Sequence, residues 1–173
     1  MNTVSTDDEK LHIPKWYAVH IKCHHERKVA TLLEGKGIEL FLPTRRVKSQ
    51  WKDRKKLIDF PLFPGYLFVH IPLLEKKKVI QTPSVVKIVG TREPQPLPDG
   101  EIDAVRRFME VDIQFDPYPY LIPGKPVEVI RGPLKGVIGI LAERRGQHRL
   151  VINVELINNS LATEIDAMDV QPV

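Results

Sequence analysis

The residues with the most chemical potential cluster near the N-terminus. His20, Cys23, His24, His25 and Glu26 fall within seven residues. Their types suit a metal site or thiolate chemistry, but their spacing suits neither. Side chains on adjacent residues diverge too far to share one ion, and no second group of ligand residues lies at metal spacing. A Cys23 nucleophile with His20 as base would need a third, orienting group, and the sequence suggests none. The simpler reading of Cys23–Glu26 is the start of a helix. No glycine-rich phosphate loop, Gly-x-Ser-x-Gly or His-Glu-x-x-His occurs. The expectation is a binding protein with no catalytic residue, no metal and no other cofactor.

The strongest binding signal is electrostatic. From Thr44 to Leu57, seven cations (Arg45, Arg46, Lys48, Lys52, Arg54, Lys55 and Lys56) face only Asp53, a net +6 in 14 residues. The whole chain carries only +4, so the remainder is slightly acidic. Such a run is often just a solvated surface. It also suits phosphates, each of which adds a salt-dependent, sequence-independent increment of affinity. Trp51 lies inside the run and could stack on a base, a contact worth roughly 1–3 kcal/mol. Lys22, Arg27 and Lys28 form a second, smaller basic group.

These residues need a scaffold. The chain has 173 residues, 42% apolar and 28% charged, which suits one globular domain or two small ones. There is no apolar run long enough for a membrane span and no secretory leader pattern, and a single cysteine fits a reducing cytoplasm. Trp16–Ile21 reads as a strand. His24–Lys36 reads as a helix, with Val29, Leu32 and Leu33 at helical spacing. Ile38–Leu42 is a short strand and Arg45–Ile58 an exposed hairpin or loop. Tyr66–Ile71 is a buried strand between Pro64-Gly65 and Pro72, followed by a short helix at Leu73–Gln81 and a strand at Val85–Val89. Asp99 can cap a last helix with Ile102, Val105 and Met109 on its apolar face. After a proline-bearing connector no helical period remains. Short alternating strands at Lys125–Ile130, Gly136–Leu141, Leu150–Leu156, Leu161–Ile165 and Met168–Gln171 predict a five-stranded barrel. The class is α+β: an N-terminal α/β sandwich, with three helices on a small antiparallel sheet, and then a small SH3-like β-barrel. The expected limits are a disordered tail at 1–14, a first domain at 15–111, a linker at 112–119 and a barrel at 120–173.

Several strings in this order resemble the NusG family of transcription elongation and antitermination factors. They are "KWYAVHIKCHHERKVATLL" from Lys15, "PLFPGYLFV" at Pro61–Val69, "VKIVG" ending at Gly90, "LPDGEIDAV" at Leu97–Val105 and "PGKPVEVIRGPLKGVIGIL", which looks like a KOW motif. The match runs from Lys15 to Val173. The resemblance implies that the first domain offers an apolar surface to the clamp helices of RNA polymerase. By motif position its candidates are Tyr17, His20, Phe63, Pro64, Tyr66, Phe68, Val86 and Val89. Strand alternation requires some of these aromatics to be core, with Leu67 and Val69 opposite Tyr66 and Phe68.

In the specialised antiterminator branch (RfaH-like and LoaP/UpxY-like paralogues), a second polymerase contact lies where this chain has Lys76, Lys77 and Lys78. The same branch meets non-template DNA at positions corresponding to Lys22, Arg27 and Lys28. With Arg45, Arg46, Trp51 and Arg54 these form the candidate contact to upstream or non-template DNA or nascent RNA. The barrel is implied to meet a termination helicase or a ribosomal protein, with Leu156 and Ile157 as an exposed apolar pair. The implied protein is a monomeric, cytoplasmic, bacterial elongation factor that suppresses pausing and modulates termination. The compact first domain, basic hairpin and lysine-rich helix favour a specialised antiterminator. A housekeeping member of the family and a ribosome- or RNA-binding KOW protein are the alternatives.

Overall fold

A computed structural model describes residues 6–51, 54–111, 115–119 and 126–173. The chain divides into two compact units, Met1–Leu97 and Pro98–Val173.

The first unit is built on a four-stranded antiparallel sheet in the order β2-β5-β1-β6. Its elements are α1 (Thr6–His12), β1 (Lys15–Ile21), α2 (Glu26–Gly35), β2 (Glu39–Phe41), β3 (Thr44–Trp51), β4 (Arg54–Pro61), β5 (Tyr66–Ile71), α3 (Lys76–Ile80) and β6 (Val85–Ile88). A 3-10 turn at Leu73–Glu75 leads into α3. β1 and β5 form the centre, with Tyr17 opposite Val69 and Val19 opposite Leu67. Period-two alternation gives the sheet two different faces. One presents Tyr17, Val19, Ile21, Leu67, Val69 and Ile71, which pack with Val29, Ala30, Leu33 and Val79 of α2 and α3 into a dry core. The other carries Trp16, Ala18, His20, Tyr66, Phe68 and His70. Leu32, expected on the apolar face of α2, is exposed, and Ala30 takes the buried place. Burying Val29, Ala30 and Leu33 turns position 32 outward.

β3 and β4 pair only with each other, from Thr44↔Pro61 to Trp51↔Arg54. This ribbon is inserted between β2 and β5, and its base is closed by the Leu62 N–H donating to the Pro43 carbonyl at 2.8 Å. The exposed hairpin expected at Arg45–Ile58 is thus a regular two-stranded ribbon.

The second unit holds α4 (Glu101–Glu110), β7 (Phe115–Pro119), β8 (Pro126–Val129), β9 (Ile138–Arg144), β10 (Gln147–Val154), β11 (Asn159–Glu164) and β12 (Val170–Pro172). Its strands form one antiparallel sheet in the order β12-β8-β9-β10-β11-β7. Leu150, Val151, Ile152, Val154, Leu161 and Ala162 are buried. Gly139 has a plain reason. A Cβ there would lie 2.8 Å from the Val151 carbonyl oxygen, so only glycine lets β9 approach β10 this closely.

The α+β class is as expected, but several limits differ. Thr6–His12 is a helix rather than disordered tail, while residues 1–5 lie outside the described set. Phe115–Pro119, expected within the linker, is instead strand β7 against β11, so the sheet has six strands rather than five. Proline suits this place because an edge strand leaves one side of its backbone unpaired. Residues 112–114 of that linker and 120–125 lie outside the described residues. Helix α4 falls in the second unit. It buries Ile102, Val105 and Phe108, whereas Met109 is only half-buried, and its N-cap is Gly100 rather than Asp99.

Candidate functional site

The candidate surface starts at a turn. Phe63-Pro64-Gly65 joins β4 to β5, and Gly65 has φ 80°, a left-handed conformation that favours glycine. Two hydrogen bonds fix this turn. The Gly65 N–H donates to Glu26 Oε1 at 2.9 Å, and the Ile21 N–H donates to the Gly65 carbonyl at 2.9 Å. Glu26 is 5% exposed, so removing its carboxylate would strand a buried donor. It belongs to the cluster first weighed for metal chemistry and works instead as the anchor of the turn. Sequence reasoning missed this role, although a carboxylate in a helix's first turn was visible. His25 Nδ1 lies 2.6 Å from Ser84 Oγ and braces the same end of the sheet. Among the described residues no group of His, Cys, Asp and Glu is placed to hold a metal ion.

The eight proposed clamp-binding residues do not form one patch. Tyr17, Phe63 and Phe68 are buried. Burial raises the Tyr17 phenol above its usual range. Phe63 and Phe68 meet edge to face with centroids 5.8 Å apart, a packing role. His20 and Tyr66 are half-buried and stacked at 5.2 Å, with Pro64 exposed at the adjoining turn. A second stack, Trp16 on His70 at 4.9 Å, continues along the same face. Val89 is half-buried, and its N–H donates to the Ala18 carbonyl at 2.8 Å. Val86 is exposed and lines a separate groove with Lys76, Ile80 and Arg92. The accessible part of the predicted set is therefore His20, Pro64, Tyr66, Val86 and Val89.

The cations divide similarly. Lys76 Nζ pairs with Glu93 Oε2 at 3.3 Å, Lys78 Nζ pairs with Glu75 Oε1 at 3.0 Å, and Lys77 is exposed. Arg27 of α2 and Arg46 of β3 converge on Asp59 of β4, at 2.9 Å and 3.1 Å. The Arg46 hydrogen bond is the main cause holding the Asp59 carboxyl below its usual range. Asp59 thereby joins two basic groups that lie far apart in sequence. Lys22, Lys28 and Arg54 are exposed and Arg45 is half-buried. The backbone of Trp51 pairs with Arg54, but its side chain lies outside the described set.

In the second unit, Ile157 is 6% exposed, which corrects the expectation of an exposed Leu156-Ile157 pair. It ends a 3-10 turn (Glu155–Ile157) closed by Asn158 at φ 50°, and this turn directs the isoleucine inward. Leu156 is half-buried. Nearby, a cavity of about 530 Å³ opens between α4 and β9–β10, lined by Glu101, Arg107, Ile138, Ile152 and Glu155 among others. Arg107 Nη1 donates to the Lys135 carbonyl at 2.7 Å. Burial, helped by the neighbouring Glu155 charge, pushes Glu101 up to about 7.

The arrangement is that of a binding module: a small antiparallel sheet with an aromatic face and a projecting basic ribbon, followed by a separate sheet unit. Comparison with known proteins names the family. Residues 14–106 match the NusG family model, described as transcription termination factor nusG. The chain belongs to the NusG family. It is similar to the transcription termination/antitermination protein NusG of Halalkalibacterium halodurans, at 24% identity over 91% of this chain and 98% of that protein. It is also similar to NusG of Lactococcus lactis, at 25% identity over 91% of this chain and 92% of that one. Among solved structures, Thermotoga maritima NusG superposes with a TM-score of 0.52 at 23% identity, covering 92% of this chain and 97% of that one, which supports the fold.

Proposed function

We propose that the protein is a transcription elongation factor that binds the RNA polymerase clamp through the accessible part of its aromatic sheet face. The carrying observation is the His20–Tyr66 stack beside exposed Pro64, held by the Glu26-anchored turn inside the region that matches the family. An aromatic pair at a rigid turn is the kind of anchor that dominates protein interfaces. Preferential binding to the closed clamp would shift the enzyme away from its open, paused form by differential affinity. We assign polymerase binding to the sheet of the first unit, with Lys76, Lys77 and Lys78 as a second contact. Upstream or non-template DNA or nascent RNA would be touched by the cations around Asp59. The barrel, through Leu156, would recruit a further partner such as a termination helicase or a ribosomal protein. The basic ribbon favours a specialised antiterminator over a housekeeping role.

The test is direct binding to purified core polymerase. Tyr66→Ala should weaken binding about tenfold or more, while Lys77→Ala should weaken it less. Unchanged affinity in Tyr66→Ala overturns the clamp assignment. In a purified elongation assay the protein should raise readthrough without raising helicase-dependent termination. Enhanced termination instead would return the chain to the housekeeping role.

A further inference from the structure

Within the second unit, helix α4 meets the sheet along a poorly packed seam. Its residues Ile102, Val105 and Phe108 are buried, but none of them lines the cavity between the helix and β9–β10. There the helix presents Glu101, Ala104 and Arg107, at three-residue steps along one face. The sheet presents Ile138, Val151 and Ile152 among others. About 530 Å³ stays open between them, so little apolar contact holds this face of the helix down. Two polar contacts do so instead, one near each end. The Glu101 carboxyl accepts the backbone N–H of Glu155, in the turn after β10. In the last turn Arg107 Nη1 donates to the Lys135 carbonyl at 2.7 Å. The second contact is indifferent to pH, because arginine stays charged. The first is not. Glu101 Oε2 is buried with no hydrogen-bond partner among the described residues. A neutral carboxyl bears that at modest cost, whereas a buried carboxylate is costly unless it is paired and its oxygens are satisfied.

The charged groups around Glu101 offer no relief. Glu155 repels it from the sheet side, and Asp99 and Asp103 flank it on its own segment. The parts of β8, β9 and β10 that line the cavity carry no ionisable side chain. Arg107, the cation among the lining residues, is engaged with Lys135. We propose that a proton on Glu101 latches α4 to the β9–β10 face, so that the helix closes over the sheet when this carboxyl is neutral and lifts from it when the carboxyl ionises. Lifting bares Val151 and Ile152, which are buried in the closed form. In the lifted state Glu101 titrates as a free glutamate, at 4.5, and in the closed state burial and then the Glu155 charge raise it to about 7. Closing is therefore favoured below pH 4.5, weakens as pH rises to about 7 and stays level above. With the side chain partly exposed, the lifted fraction should change about fivefold across this window.

Methyl NMR of the full chain with a neutral, soluble gadolinium chelate as paramagnetic probe tests this. The relaxation enhancement of the Val151 and Ile152 methyls reports their access to solvent. Leu161 of β11, equally buried but outside the cavity lining, is the internal control. In the wild type the enhancement at Val151 and Ile152 should rise about fivefold from pH 4.5 to pH 8, while Leu161 stays shielded. Glu101→Gln keeps the size of the side chain and cannot ionise, so both methyls should stay shielded at either pH. Glu155→Gln leaves Glu101 in place and removes the opposing charge, so it should make the rise smaller. Arg107→Ala opens the other contact and should raise the enhancement at both pH values while leaving its pH dependence in place. An enhancement at Ile152 that is equal at pH 4.5 and pH 8, or a Glu101→Gln variant that follows the wild type, overturns the proposal. So does a rise at Leu161 that matches Ile152, since the whole unit would then be loosening rather than one helix. Circular dichroism of every variant at both pH values confirms that the fold is kept.

Discussion

Two hairpins of this chain look alike on paper and are held together by different forces. β3–β4 and β10–β11 are both antiparallel ribbons with a regular register. The second is cemented by burial: Leu150, Val151, Val154 and Leu161 are at or near zero exposure. Among the described residues the first has almost no core. Leu57 and Phe60 are more than half exposed, and Val47 and Ile58 are only half-buried. An isolated two-stranded ribbon is marginal in water. This one is tied down at its base by Asp59 with Arg27 and Arg46 and by the Leu62–Pro43 backbone hydrogen bond. A chain does not keep the six cations of these two strands and an exposed phenylalanine for stability, since both weaken the ribbon. The contrast separates a hairpin explained by packing from one that needs a partner to explain it.

The largest effect that would break this comparison is a core truncation. Leu161→Ala should destabilise the second unit by about 2–5 kcal/mol, because a fully buried leucine leaves a cavity that close-packed neighbours fill only in part. Leu57→Ala, the same chemistry on the ribbon, should cost less than about 0.5 kcal/mol. Urea denaturation followed by circular dichroism measures both. Equal losses would mean that the ribbon has a core of its own, and the argument for an external partner would lapse.

How much of this was readable in the sequence follows from the same contrast. β5 was legible to the residue because Pro64-Gly65 and Pro72 bracket an apolar run whose period is two. The ribbon was legible as a basic exposed hairpin or loop but not as two eight-residue strands, because its charged residues give no period-two apolar pattern to mark them. β7 was hidden behind its prolines, which read as a connector although an edge strand tolerates them. At the candidate site, "FPGYLFV" marked the right turn. It could not show that Tyr17, Phe63 and Phe68 are buried while His20, Pro64 and Tyr66 remain accessible. That division depends on which sheet face is covered. Ile157 was misjudged for a local reason, since a left-handed Asn158 turns it into the core. The Asp59 knot joins residues 13 and 32 positions apart and leaves no signal in any local pattern.

A smaller effect sharpens the comparison through charge. Asp59 and Glu101 are carboxylates shifted in opposite directions: Asp59 by its arginines, Glu101 by burial and then by Glu155. Glu101 stands in the first turn of α4, where the helix dipole favours a negative charge, so desolvation outweighs that attraction. Its value of about 7 in the fold lies above the 4.5 of a free glutamate. The folded state therefore holds a proton that the unfolded chain releases, and stability falls as pH rises from about 4.5 to 7 and stays level above. Allowing for the partial exposure of the side chain, the loss is on the order of 1 kcal/mol. Thermal melts of wild type and Glu101→Gln at pH 5 and pH 8 measure it. The wild type should lose stability at the higher pH and the glutamine variant should not. Parallel curves would show that Glu101 is solvated as a normal carboxylate.

The smallest effect is the most local. In Asp59→Asn the amide keeps the size of the side chain and loses the charge that draws Arg27 and Arg46 together. The folded carboxyl titrates below its usual range, so its contribution is present above the unfolded value of 3.8 and is lost as pH falls through the lower, folded one. At neutral pH the substitution should leave the melting temperature of the protein in place, because neither Asp59 nor its two arginines belong to the buried core of the first unit. What should change is the ribbon alone. Amide hydrogen exchange at Val47, Lys48, Leu57 and Ile58 should quicken severalfold, while exchange at Val19 and Leu67 stays slow. The same pattern should appear in the wild type on acidification below pH 4, and nowhere else in the first unit. Exchange that quickens evenly across β1 and β5 would show the ribbon and the sheet to be one cooperative unit. Exchange that does not quicken at all would move the support of the ribbon from this ion-paired knot to its backbone ladder.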